Sequence, residues 1–325
     1  MTELCIYISK IEILENLGEA LEVIPKPDGD KYAMLSLNEK VNQLSLNKLS
    51  IFFRQKFGRD YRAGFTRIYF GNETCDRLIP DRKTIERAYK LISEKGYEMT
   101  YVTPYTGPEG LTKIEDNLSF LNEKENIEVV FNDWGVLQLL DKKYTGLEPV
   151  MGRLMVKMKR DPRFSKSDYS VHSHALDRTD KIAKRQEETV VNSSLEIKEF
   201  RELLQSKRVE RVGMEMVPYD EDIVKKQFKK NKWGLPIDIY WPWTYITSGR
   251  NCQIAAYTQP AGKIHPAGKN CYLQCQQFEF GFNSDKDMLD SVQRGNAVWM
   301  DTTELFERYI KYDFDRLIYQ PYIPI

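Results

Sequence analysis

Cys252, Cys271 and Cys275 stand close together in the last third of the chain, and a fourth cysteine, Cys75, follows the strand-like run TRIYFGNET far upstream. Thiolates spaced as Cys271 and Cys275 are can reach one metal from a single turn, and the remaining ligands can be supplied by the fold rather than by local sequence. That donor set has the chemistry of a metal or iron–sulfur centre. Zinc is the alternative to iron: His265 lies between Cys252 and the pair and would complete a Cys3His set, although the paired Cys-x2-Cys spacing common in zinc sites is missing. The fifth cysteine, Cys5 in LCIYI, reads as a small buried core residue.

Other side chains suggest a reacting site beside the thiols. Glu215 sits in the otherwise apolar run GMEMV, where burial demands a partner for its charge. It is either a substrate-orienting carboxylate or the mate of a barrel arginine. Asn132 and Asp133 in FNDWG, and Asn192 after TVV, fall at strand ends, as substrate contacts or as turn formers. Arg250 and Arg153 are candidate anion binders, because a guanidinium holds a carboxylate by two parallel hydrogen bonds; Arg153 also suits a salt bridge to Glu215 or Asp133. The catalytic candidates are therefore Glu215, Arg250 and Asp133, and the ligand expected is a small anionic molecule. His172 and His174 read as surface residues, and the cluster Tyr240, Trp241, Trp243 and Tyr245 as core or as a pocket wall.

Composition narrows the function classes. With 325 residues, 41% of them hydrophobic, the chain can bury a large core. Lys plus Arg and Asp plus Glu are equal at 48 each, so no global field favours nucleic acid or an anionic membrane. The N-terminal residues carry no signal-peptide pattern, and no apolar run is long enough to span a bilayer, so a cytoplasmic protein is expected. In that reducing compartment clustered cysteines read as ligands rather than disulfides. The chain lacks His-Glu-x-x-His, Gly-x-Ser-x-Gly and a helix-opening Gly-x-Gly-x-x-Gly, the usual parts of zinc proteases, serine hydrolases and dinucleotide enzymes.

The elements that must position these residues alternate. Eight strand-like runs, 4–9, 65–70, 98–103, 127–132, 149–158, 211–216, 237–246 and 315–320, are interspersed with helical patterns over 81–95, 195–206 and 220–230. This is an α/β pattern, expected to close as a single (β/α)8 TIM-like barrel over residues 1–325, with an open doubly wound sheet as the alternative. Two additions exceed a minimal barrel: an N-terminal segment, 10–64, with a hairpin-like pair around PKPDGDKYAMLSL, and a basic insertion, 157–184, expected to be exposed. Cys75 and Cys252 then both fall past C-terminal strand ends, where barrel active sites are built.

Several pieces in order resemble peptidase family U-32, and its UbiV-like branch in particular. IYFGNETC is similar to that branch's first strand and cysteine, FNDWG to its Asp-x-Gly strand end, the stretch from VVNSS to VGMEM to its Asn- and Glu-bearing strands, YITSGRNC to its Gly-Arg-Cys segment and CYLQC to its Cys-x3-Cys pair. The resemblance spans roughly residues 65–277; the loop TQPAGKIHPAGKN and the basic insertion depart from it. It implies a 4Fe-4S cluster on Cys75, Cys252, Cys271 and Cys275, and oxygen-independent hydroxylation of the kind used in ubiquinone synthesis, performed with a second family member as a heterodimer. A non-catalytic cluster- or zinc-bearing partner subunit is the alternative function, and a peptidase the third.

Overall fold

The computed structural model describes residues 3–23, 35–160, 192–219, 221–228, 232–257, 271–282, 291–312 and 314–325. Eight parallel strands close into a barrel: β1 Glu3–Ile8, β2 Phe65–Gly71, β3 Glu98–Val102, β4 Glu128–Phe131, β5 Glu148–Met151, β6 Arg211–Glu215, β7 Ile237–Trp241 and β12 Arg316–Tyr319, in the order β1-β12-β7-β6-β5-β4-β3-β2. This is the expected (β/α)8 architecture. Each of the eight sequence runs overlaps one barrel strand.

Among the described residues the helices are α1 Ile11–Glu15, α2 Leu17–Ala20, α3 Leu37–Phe57, α4 Arg82–Glu94, α5 Pro108–Leu121, α6 Trp134–Lys142, α7 Lys198–Ser206, α8 Glu221–Gln227, α9 Gln253–Tyr257 and α10 Phe306–Tyr309. Most of the N-terminal addition is thus helical. Of the hairpin-like pair, residues 24–34 lie outside the described residues, and Leu35 and Ser36 lead into a helix rather than a strand. Ser36 and Glu39 form a reciprocal capping box that starts α3, and Gly58 ends it in the left-handed region. Tyr319 of β12 donates to Asn42 Oδ1 at 2.5 Å, and its hydroxyl lies 3.0 Å from that of Ser45, so α3 packs on the barrel as the helix between β1 and β2.

Two expected strands are shorter than the sequence suggested. The run 149–158 leaves the sheet after Met151 and turns into a 3-10 segment, Arg153–Met155. The run 237–246 breaks at Pro242, which has no N–H to give a ladder, and resumes as β8 Trp243–Ser248 in a different sheet. With β9 Phe280–Phe282, β10 Ser291–Arg294 and β11 Ala297–Asp301 it forms a four-stranded antiparallel sheet, order β8-β11-β10-β9, an addition to the barrel beyond the expected elements. Of the basic insertion, 161–184 lies outside the described residues, together with His172 and His174. Arg160, expected to be exposed with the rest of that stretch, is instead buried.

The period of two along each barrel strand sorts its interior into layers. The middle layer is apolar and aromatic: Cys5, Tyr7, Tyr69, Val102, Val130, Val150, Tyr240 and Ile318 form one buried cluster. Below it, toward the strand starts, lies a charged layer. Arg316 Nη1 reaches Glu128 Oε2 at 2.7 Å and its Nε pairs with Glu3; Arg211 Nη1 reaches Asp238 Oδ1 at 2.6 Å, and Tyr69 donates to Asp238 Oδ2 at 3.1 Å. Mutual pairing is what makes so many charges tolerable there.

Burial pushes the Asp238 carboxyl from its ordinary 3.8 up to about 6, with Arg211 and Arg316 opposing the shift. A carboxyl whose folded pKa is raised binds its proton more tightly in the native chain, so its contribution to stability falls as pH rises between the two values and is flat above them. The unfolding free energy of the wild type minus that of Asp238→Asn, from urea denaturation at about pH 4 to about pH 7, should decline up to about pH 6 and then level off. A difference that rises with pH would show that the carboxylate is favoured in place.

Candidate functional site

At the other end of the barrel a second buried charge cluster fixes the loop that carries Cys75. β2 ends at Gly71, whose φ of 134° and whose approach to the Val102 carbonyl oxygen, 2.2 Å from where a Cβ would stand, admit only glycine. The chain then places Glu73 inside the protein, with no exposure, against Arg153, which has none either. Arg153 Nε lies 3.0 and 3.1 Å from the two Glu73 oxygens and its Nη2 completes the bidentate pair; Nη1 donates to Glu215 Oε2 at 3.1 Å and to the Trp243 carbonyl at 2.8 Å. The Gln320 amide, oriented to accept from Arg153 Nη2 and donate to the Trp243 carbonyl, both at 2.8 Å, closes the network. The guanidinium stacks over Tyr240 and Trp299, 4.1 and 5.0 Å from the ring centroids.

Glu215 is thus the mate of arginines. Besides Arg153, Arg160 Nε lies 3.5 Å from its Oε1. Burial raises the Glu215 pKa while both arginines oppose it, and burial lowers that of Arg160. Glu73 and Arg160 are not among the residues the sequence singled out, although Glu73 stands inside the GNETC motif and a glutamate so placed beside a cysteine loop was a signal. Asp133 caps α6, accepting from Gly135 N at 2.7 Å, and its other oxygen accepts from Thr106 N at 3.4 Å. Asn132 is buried and donates to the Thr103 carbonyl at 2.8 Å, and Asn192 is exposed. Tyr240, Trp241, Trp243 and Tyr245 are all buried, as a core cluster should be. His265 lies outside the described residues.

The cysteine-bearing segments meet above this cluster. Asn72 Oδ1 accepts from Thr74 N at 3.0 Å and from Cys75 N at 2.8 Å, folding the Cys75 loop into a tight turn. Cys252 precedes α9, and its sulfur accepts from Ala255 N at 3.4 Å. Cys275 lies in a 3-10 turn, Gln274–Gln276, whose carbonyl at Cys275 accepts from Arg294 Nε at 3.0 Å. The β10–β11 turn ties the three together. Beside Arg294, Asn296 Nδ2 donates to the Thr74 carbonyl at 2.6 Å and to the Gly249 carbonyl at 3.0 Å, bridging the Cys75 and Cys252 loops.

The four thiols are electrostatic neighbours. Burial first, then the charges of Asp76, Cys275 and Cys252, push Cys75 up to about 12; Cys275 goes up to about 11 through burial, then Cys252 and Cys271; Cys252 is raised by burial and by Cys271. Cys252 and Cys275 also belong to one apolar cluster with Trp243, Trp299 and Ile325. As placed, the sulfurs do not surround a common point: among the described residues no group of three or more His, Cys, Asp or Glu side chains is arranged to hold a metal ion. In kind and surroundings the donor set fits a four-thiolate centre, because it combines four thiols, an apolar wall and amide donors to sulfur. Cys5 is buried inside the barrel, as its apolar context predicted.

Beside Cys75 opens a cleft of about 160 Å³ lined by Thr74, Cys75, Asp76, Tyr105, Thr106, Gly107, Arg250 and Asn296. Arg250 therefore shares a cleft with the first cysteine, whereas Glu215 and Asp133 are engaged in structural contacts. Among the described residues no helix is long and apolar enough to cross a membrane.

Replacing Arg153 by Met should leave the buried Glu73 carboxylate without a partner and Glu215 with Arg160 alone, and cost about 3–5 kcal/mol of stability, read from the urea midpoint. A loss below about 1 kcal/mol would show that Glu73 finds water or another cation. Compared with known proteins, the chain matches no family model and no curated protein.

Proposed function

We propose that this chain is an iron–sulfur protein, with Cys75, Cys252, Cys271 and Cys275 as ligands to a 4Fe-4S cluster, serving an oxygen-independent hydroxylation or a related redox modification. The observation that carries the reading is the convergence of cysteines from three loops at one end of a barrel, joined through the β10–β11 turn. Buried thiols that raise one another's pKa stay protonated when alone, and a cationic centre is what makes several thiolates compatible in one place. The motif order shared with the UbiV-like branch of peptidase family U-32 supports the same ligand set.

Bound there, the cluster supplies one-electron transfer. The chain's own residues have defined tasks around it. The apolar wall of Trp243, Val292, Trp299 and Ile325 excludes water, and the Ala255 amide donates to the Cys252 sulfur, both of which tune a cluster's potential. Arg153 positions the Cys75 loop through Glu73. A small anionic substrate would meet Arg250 at the cleft next to Cys75. The reading places the chain in the cytoplasm and allows a second chain of the same family as partner. A peptidase reading has no nucleophile–base pair among these residues to support it.

Anaerobic purification followed by iron, sulfide and zinc analysis tests the reading. About four irons and four sulfides per chain are expected, with loss of most of both in Cys75→Ala and retention in Cys5→Ala. Zinc without iron or sulfide would contradict the redox role and point to a scaffold subunit.

A further inference from the structure

Away from the cysteines, at the end of the barrel where the strands begin, α3 and the barrel wall do not close on one another. A pocket of about 220 Å³ lies between them, walled by Phe52, Phe53 and Phe57 of α3, Leu4 of β1, Leu317 of β12 and Ile310. The alternation along the strands explains the lining: Cys5 and Ile318 belong to the barrel interior, so Leu4 and Leu317 face outward to the helix. Leu4, Phe53 and Leu317 are buried, whereas Phe52, Phe57 and Ile310 are only half-buried. A dry apolar cavity of about 150 Å³ takes benzene, so this pocket has room for an apolar body of roughly six to ten carbons.

Two charged residues complete the lining, and they are not equivalent. Glu3 is already engaged: it pairs with Arg316, lies 3.7 Å from Arg67 Nε and accepts from the Thr66 hydroxyl at 2.8 Å. Lys56 has no counter-charge. Its Nζ lies 5.1 and 5.6 Å from the ring centroids of Phe52 and Phe57, which sets the ammonium against two of the pocket walls, and among the described residues it makes no ion pair or hydrogen bond. The Arg59 guanidinium, 5.6 Å from the Phe57 ring and likewise without an ion pair among the described residues, adds a second positive charge on that side. The rings offer these cations their negative faces but no anion. An apolar molecule entering the pocket strips water from the Lys56 ammonium, which costs free energy unless the molecule brings a negative charge of its own. A hydrocarbon or an alcohol brings none, and an amine is repelled.

We propose that this pocket binds a small apolar monocarboxylate, its body against the rings of Phe52, Phe53 and Phe57 and its carboxylate on Lys56. An aliphatic chain and an aromatic ring share that chemistry, and the test separates them. The pocket lies at the opposite end of the barrel from the cysteine loops, so the proposal holds whether or not the thiols carry a cluster.

Isothermal titration of the full chain with octanoate and with 3-phenylpropionate is the test, each beside the alcohol of the same skeleton. At least one acid should saturate the pocket and bind roughly two- to fivefold more tightly than its alcohol, the effect of a solvent-accessible ion pair. The tighter of the two acids identifies chain or ring as the preferred body. Lys56→Met should abolish the preference for acid over alcohol while the alcohol still binds, and Ile310→Trp, which puts an indole into the pocket, should weaken both. If Ile310→Trp fails to fold, Lys56→Met, on an exposed residue, carries the test. Failure of both acids to bind, equal affinity for acid and alcohol, an acid preference that survives Lys56→Met, or undiminished binding to folded Ile310→Trp would overturn the proposal. Iron content bears on the cluster reading alone.

Discussion

The upper half of this molecule is organised around one guanidinium. Arg153, without exposure, must be neutralised where it lies, and it takes Glu73 from the loop after β2, Glu215 from the end of β6, the Trp243 carbonyl from the start of β8 and Gln320 from the end of β12. Those partners come from four separate stretches of chain. A buried charge of this kind adds little net stability over an apolar replacement, but it penalises any arrangement that leaves a partner unpaired. The Cys75 loop is held in place because, among the described residues, Arg153 is the cation paired with Glu73.

The second sheet serves the same end. Its β10–β11 turn presents Arg294, Gly295 and Asn296 to three loops at once, and an added Cβ at Gly295 would meet Ile325 at 3.2 Å and lie in ordinary contact with Cys275. Side-chain to backbone bonds from Arg294 and Asn296 replace the regular ladder that loops lack. The cysteine loops are therefore gathered by polar contacts on the backbone, while Cys252 and Cys275 sit in an apolar cluster.

Much of the barrel is legible in the sequence because its strands are short, β-branched or aromatic, and separated by helical spacing. The extent of β5 is not, since MGRLMVKM continues the apolar look of a strand while Arg153 turns away to reach Glu73. The second sheet was not anticipated, although SVQRGNAVWMD is two alternating runs around a Gly-Asn turn, a readable hairpin. The ion-pair partners of Arg153 stand 80 and 62 residues away in sequence, at separations no local pattern reports. Of the candidate site, the cysteines and Arg250 were visible as residue types. Glu73, Arg160 and Asn296 acquire meaning only from what the fold brings beside them.

The central claim is that four cysteines from three loops hold one centre. Diffraction data collected at the iron absorption edge from crystals grown without oxygen test it most directly. The account predicts a single anomalous iron site with the sulfurs of Cys75, Cys252, Cys271 and Cys275 around it. Iron bound elsewhere, or the four sulfurs separate in an iron-replete crystal, would contradict it.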